Sequence, residues 1–202
     1  MGIEIKAPAS VNPEALKRAE AIVTQMLQAR ADMARRMADK KAAIGIIPKE
    51  AFITALPEFA KFSGKKDSNG NPYDSFSIRG AGAVNGQPVT AASEENLLKL
   101  PHDPFAQESV LHHEFAHAIM NLGFAESERL RWMAIYQAAA KAKLFPGAFA
   151  LTNADEYWAE LSQSYFGVNN EINGPDLIRS KDPAAFEFLL SVYGPAKVTP
   201  SR

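Results

Sequence analysis

Five residues, His113-Glu114-Phe115-Ala116-His117, constrain this chain more than any other feature. They lie inside SVLHHEFAHAIMNLG, residues 109–123, where apolar residues recur at helical spacing, no proline intervenes and a glycine ends the run. On a helix, positions i and i+4 share a face, so His113 and His117 can grip one small cation between them. Glu114, about 100° further round, reaches the same side without ligating. Zinc suits two neutral imidazoles and leaves room for water. An exposed histidine pair beside an acid is the plainer alternative, so a third ligand decides the matter.

Composition narrows that ligand sharply. The chain has no cysteine, and its four histidines are His102, His112, His113 and His117. A third histidine six residues after His117 would have to stand at Gly123, so the ligand must be a carboxylate. Glu126 and Glu128 follow Gly123 too closely to turn back, and Glu171, Asp176, Asp182 and Glu187 lie singly in loops or the last helix. The segment NADEYWAE, residues 153–160, sets Glu156 and Glu160 at i and i+4 on an otherwise apolar helix. Two carboxylates buried on one helical face are costly unless something cationic meets them. In that reading Glu156 ligates and Glu160 accepts the spare N–H of a ligand histidine. Otherwise Asn153 and Glu156 form an N-terminal capping pair and Glu160 faces solvent.

The rest of the chain predicts an α/β part, about 1–104, followed by a helical part, about 105–202, within one domain. Asn12-Pro13-Glu14 starts a long amphipathic helix reaching about Lys41. Residues 42–47 (AAIGII) read as a buried strand, residues 63–74 as a polar loop or hairpin tip, and residues 76–84 as a strand that turns at Asn85-Gly86 into a partner over 88–92. Ile78, Arg79, Gly80, Ala81 and Gly82 form a candidate edge for pairing with an extended substrate, Gly80 and Gly82 permitting its close approach, equally a plain hairpin strand. Helices are expected at 106–122, 126–143, 153–166 and 183–193. Twenty-two basic against 23 acidic residues give a net charge of −1, which argues against nucleic acid as a partner. No apolar run is long enough to span a bilayer. The N-terminus lacks the apolar core of a signal peptide; a mature secreted or periplasmic form is expected, acting as a monomer.

HEFAHA followed some forty positions later by NADEYWAE resembles the lethal-factor-like branch of the gluzincin metallopeptidases. The resemblance covers about 105–167, with weaker support from Arg79-Gly80 to Leu98. It implies an α+β, zincin-like fold with a small mixed or antiparallel sheet, an active-site helix and a helical C-terminal lobe. It also implies one Zn2+ per chain held by His113, His117 and Glu156, Glu114 as the base, Glu160 behind a ligand, and a polypeptide substrate. The family commonly carries a tyrosine seven residues before the glutamate ligand, where its phenol meets the developing oxyanion. Phe149 stands there, and a phenyl ring donates no hydrogen bond. Tyr157, Tyr165, Tyr136, Tyr73 and His112 are the alternative donors; His102 has no assigned role. Two further functions stay open: a zinc-binding interaction module that hydrolyses nothing, and a zinc amidase acting on cell-wall peptides.

Overall fold

A computed structural model describes residues 2–169, 171–172 and 174–195. Its architecture is mixed α+β. Strands β1 (Glu4–Lys6), β2 (Ala43–Ile47), β3 (Gly80–Ala81) and β4 (Val89–Ser93) form one sheet in the order β1-β2-β4-β3. The first three in that order run parallel and β3 pairs antiparallel to β4, Gly80 opposite Ala92 and Ala81 opposite Ala91. Helices α1 (Pro13–Leu27) and α2 (Ala31–Asp39) connect β1 to β2, as a parallel pair requires a crossover.

Both faces of the sheet are covered, so β2 and β4 are buried at every position. Ile44, Ile46 and Ala92 face the main core. Ala43, Ile47, Val89 and Ala91 face a smaller cluster closed by Ile53, Leu56 and Phe59. That alternation explains an apolar run with no polar face in residues 42–47. A short helix α3 (Glu94–Leu98) follows β4 directly, then the candidate metal helix α4 (Val110–Ala118) and α5 (Glu126–Ala142). Helices α6 (Ala154–Tyr165), α7 (Gly174–Lys181) and α8 (Pro183–Tyr193) complete the chain. Among the described residues no helix is long and apolar enough to cross a membrane.

Three expectations need correction. The helix from Pro13 does not continue to Lys41; it breaks at residues 28–30, although neither glycine nor proline stands there. The break turns α2 so that Met33 and Met37 pack against Gly123, where a Cβ would come within 2.6 Å of Met33 Cγ. Arg30 and Arg36 then reach Asp32 and Glu128. The strand expected over 76–84 shrinks to Gly80–Ala81, because the chain is diverted on both sides by other partners. Arg79 turns inward to Glu95, and the Ala83 carbonyl accepts from Asn121. Its turn does fall at Asn85-Gly86, with Val84 and Gln87 exchanging backbone hydrogen bonds. The helix expected from 106 begins at Val110 and ends in one wide turn, Ile119–Gly123.

Candidate metal centre

Helix α4 carries His113, Glu114 and His117, and its start is fixed from outside. Asn96 Oδ1 accepts from the Val110 N–H at 2.9 Å, while Ser109 Oγ turns to His112 Nδ1 at 2.7 Å. Helix α6 begins at Asn153, whose Oδ1 accepts from the Asp155 and Glu156 N–H groups. Trp158, fully buried, donates its indole N–H to the Ala116 carbonyl at 2.7 Å. Such a bond contributes only about 1 kcal/mol net, but it fixes the register in which α6 lies against α4. That register sets Glu156 opposite the two histidines and Glu160 behind the first of them.

The geometry is tight. Nε2 of His113 and Nε2 of His117 lie 3.1 Å apart, and Glu156 Oε2 lies 3.2 Å from the first and 3.6 Å from the second. Ligands placed tetrahedrally at about 2.0–2.1 Å from one ion stand about 3.3 Å from each other, the middle of that range. Glu160 Oε1 accepts from His113 Nδ1 at 3.1 Å, which leaves Nε2 of the neutral ring as a bare lone pair. Glu156 Oε2 is buried with no hydrogen-bond donor. With the ring neutral, lone pairs converge on one point, at a desolvation cost of several kcal/mol for the carboxylate alone. A cation removes that cost. His113, His117 and Glu156 form a group able to hold one metal ion, and the donor set of two imidazoles and a carboxylate fits zinc.

Titration follows the same logic. Burial works against a charged His113, but the Glu156 and Glu160 carboxylates beside it outweigh it and raise its pKa well above the ordinary value. Burial likewise opposes ionisation of Glu156, yet the imidazoles beside it hold its pKa near 2. Glu114 differs: burial raises its pKa, the two imidazoles oppose and the Glu156 charge adds to the rise.

Sequence reasoning missed the next layer. Asn169 Nδ2 bridges Glu160 Oε2 at 2.6 Å and Gln163 Oε1 at 3.0 Å, and Gln163 donates to the Ser109 carbonyl at 3.0 Å. Gln163 continues the face of Glu156 and Glu160 one turn on, so a polar stripe 156/160/163 on a buried helix was the available signal. Nothing in the sequence marked Asn169. The capping-pair alternative is half present: Asn153 caps the helix, while the Glu156 carboxylate faces the histidines.

A cleft of about 490 Å³ opens beside these residues, lined by Ile78, Gly80, Val110, His113, Glu114 and Phe149 among others. Phe149 belongs to a short turn (Phe149–Thr152) before α6 and is 51% exposed; its N–H donates to Glu171 Oε2 at 2.9 Å. The five alternative donors lie elsewhere. Tyr157 donates to Asp182 Oδ2 at 2.7 Å, Tyr136 to the Leu151 carbonyl at 3.1 Å and Tyr165 to the Gly194 carbonyl at 2.6 Å. Tyr73 stacks on Phe62, and His112 is buried against Phe166. His102 sits in a loop with φ 68° and outside the cleft lining.

Gly80 and Gly82 do permit a close approach, but the partner is helix α4. A Cβ on Gly80 would lie 2.5 Å from Val110 Cγ1 and 2.7 Å from Glu114 Oε1, and one on Gly82 would lie 2.6 Å from His117 Cβ. The two glycines let the sheet edge lie directly on the helix that carries the histidines. Ile78, Arg79 and Gly80 line the cleft; Ala81 and Gly82 continue the same edge.

No protein-family profile matches this sequence, and no curated protein shows significant similarity to it. Among solved structures, the Pro-Pro endopeptidase PPEP-2 from Paenibacillus alvei superposes with a TM-score of 0.64. The match covers 92% of this chain and 95% of that one at 16% sequence identity. At that identity the likeness is one of fold.

Proposed function

We propose that the protein is a zinc-dependent peptidase of gluzincin type, with one zinc per chain held by His113, His117 and Glu156. The observation that carries the reading is the convergence of their three ligand atoms, one of them a buried carboxylate oxygen without a donor. The fold of a Pro-Pro endopeptidase adds support, and the likeness of HEFAHA and NADEYWAE to the lethal-factor-like branch supplies the finer assignment. Bound zinc would act as a Lewis acid, polarising the scissile carbonyl and lowering the pKa of water to about 7. Glu114 takes the proton of the attacking water and passes it to the leaving amine. Glu160 fixes the tautomer of His113 and is itself held by Asn169. The edge strand at Gly80–Ala81 pairs with the backbone of an extended peptide across the cleft.

The test is hydrolysis of casein by the purified protein, with and without a chelator, alongside metal analysis. Near-stoichiometric zinc and chelator-sensitive cleavage are expected, and the H113A/H117A variant should hold little metal. Equal zinc in both proteins would refute the site. Replacing Glu160 by Ala is expected to weaken zinc affinity about 10–100-fold, read by competition with a chromogenic chelator; unchanged affinity would make Glu160 a packing residue only.

A second reading is a zinc-binding module that does not hydrolyse peptides. It rests on Phe149, which stands at the cleft where the resembled family carries a phenol. Zinc binding with no cleavage of any peptide would favour it.

A further inference from the structure

Strand β3 is too short to locate itself. Two residues pair with β4, and the glycines on either side of Ala81 bring no side chain to pack, a combination that leaves strand register weakly specified. Yet this edge lies within contact of Glu114 and His117, so any drift of it changes the cleft. Something else must hold it.

We infer that Arg79 is a positioning residue that holds the substrate-pairing edge at its distance from helix α4, acting through Glu95. The residue directly before β3 is tied by four hydrogen bonds from its side chain. Arg79 Nε and Nη2 donate to the two oxygens of Glu95 at 2.6 and 2.8 Å. Nη1 donates to the Ala51 carbonyl at 2.6 Å and Nη2 also to that of Pro48 at 3.2 Å. The centroid of the Phe76 ring lies 5.3 Å from the guanidinium carbon. The side chain is wholly buried.

A buried ion pair is poor evidence for stability, since well-packed apolar groups commonly do as well. Its value lies in direction: a planar fork meeting a carboxylate fixes distance and angle together. Glu95 is a fitting anchor because its neighbour Asn96 holds the other wall of the cleft. Asn96 Oδ1 caps Val110 at the start of α4, and its Nδ2 donates to Asp103 Oδ2 and the Phe105 carbonyl. Adjacent residues of α3 thus tie the edge strand and the metal-carrying helix to one element. The gap between the two walls is referred to a single point of the backbone.

The consequence for function rests on the peptidase reading. An extended peptide that pairs along Gly80–Ala81 feels the position of the edge, whereas a short substrate that spans only the scissile bond does not. Arg79→Lys keeps the charge but loses the fork, and Glu95→Gln keeps one acceptor oxygen. The first measurement needs no activity: amide hydrogen exchange of the whole protein, below the melting temperature of each variant. In Arg79→Lys the amides of residues 80–82 should exchange about 10–100-fold faster, the range lost with one or more charge-assisted hydrogen bonds, while those of α4 keep wild-type rates. Glu95→Gln should shift the same amides by less. Wild-type exchange at 80–82 in Arg79→Lys, or equal acceleration throughout α4, would overturn the assignment.

The second measurement compares KM for an eight-residue peptide with KM for a blocked dipeptide. The ratio of the two should rise about tenfold in Arg79→Lys, with zinc content unchanged. Parallel losses on both substrates would mean simple destabilisation and also overturn it. If the wild type cleaves neither substrate, the peptidase reading falls, and the exchange data still decide whether Arg79 holds the edge.

Discussion

Replacing Glu114 by Gln is expected to lower kcat by about 10²–10⁴-fold, the usual contribution of a positioned general base, while zinc stays stoichiometric. The amide is nearly isosteric, so the close contact of Glu114 with the Gly80 backbone survives the change. Glu114 is not among the three converging ligand atoms, and the metal therefore has no reason to leave. What is lost is the ability to take a proton. The sign of the pH effect follows: a base works in its ionised form, so wild-type activity should fall as the pH drops through the Glu114 pKa. The residual activity of the variant should lack that limb. Steady-state kinetics across pH, with metal analysis of the same samples, checks both parts. Turnover like that of the wild type with metal retained would assign the proton transfer to another group.

Much of this site was legible because helix geometry is rigid. The spacing of His113 and His117, and that of Glu156 and Glu160, fixes which side chains share a face before any tertiary contact is known. The absence of cysteine and the small number of histidines then left a carboxylate as candidate third ligand by counting alone. What sequence did not show are features made by contacts between distant segments. The break at residues 28–30 has no local cause; it arises because Met33 and Met37 find Gly123 and because Arg30 and Arg36 find Glu128. The strand over 76–84 failed for the same reason, since Arg79 is drawn to Glu95 and to the carbonyls of Pro48 and Ala51. Asn169 lies beyond the end of α6 and reaches Glu160 only through the turn that follows it. Gly80 and Gly82 are intermediate: their smallness signalled a close approach, and only the fold shows that α4 is what approaches.

Introducing Tyr at Phe149 is expected to raise kcat, with KM changed little. The ring of Phe149 is half exposed and lines the same cleft as His113 and Glu114, and its backbone is held by Glu171. An added phenolic hydroxyl extends such a ring by one donor without asking the backbone to move. A donor of this kind acts mainly on charge that develops in the transition state, which is why it changes kcat rather than uniform binding. One preorganised donor to an oxyanion contributes about 2.7–4 kcal/mol, or about 10²–10³ in rate, and a retrofitted one usually less. The competing expectation is no gain, which would mean that a donor already serves. The tyrosines at 136, 157 and 165 are spent on Leu151, Asp182 and Gly194. Asn69, Asn71 and Ser77 are neutral donors that do line the cleft, and alanine at each in turn would find the one responsible. A wild type that binds zinc but cleaves nothing, and gains hydrolysis in Phe149→Tyr, would show a complete metal and base machinery waiting on a single hydroxyl. That outcome would make the binding-module reading the correct one for the natural chain, because the ring at 149 alone would then separate it from a peptidase.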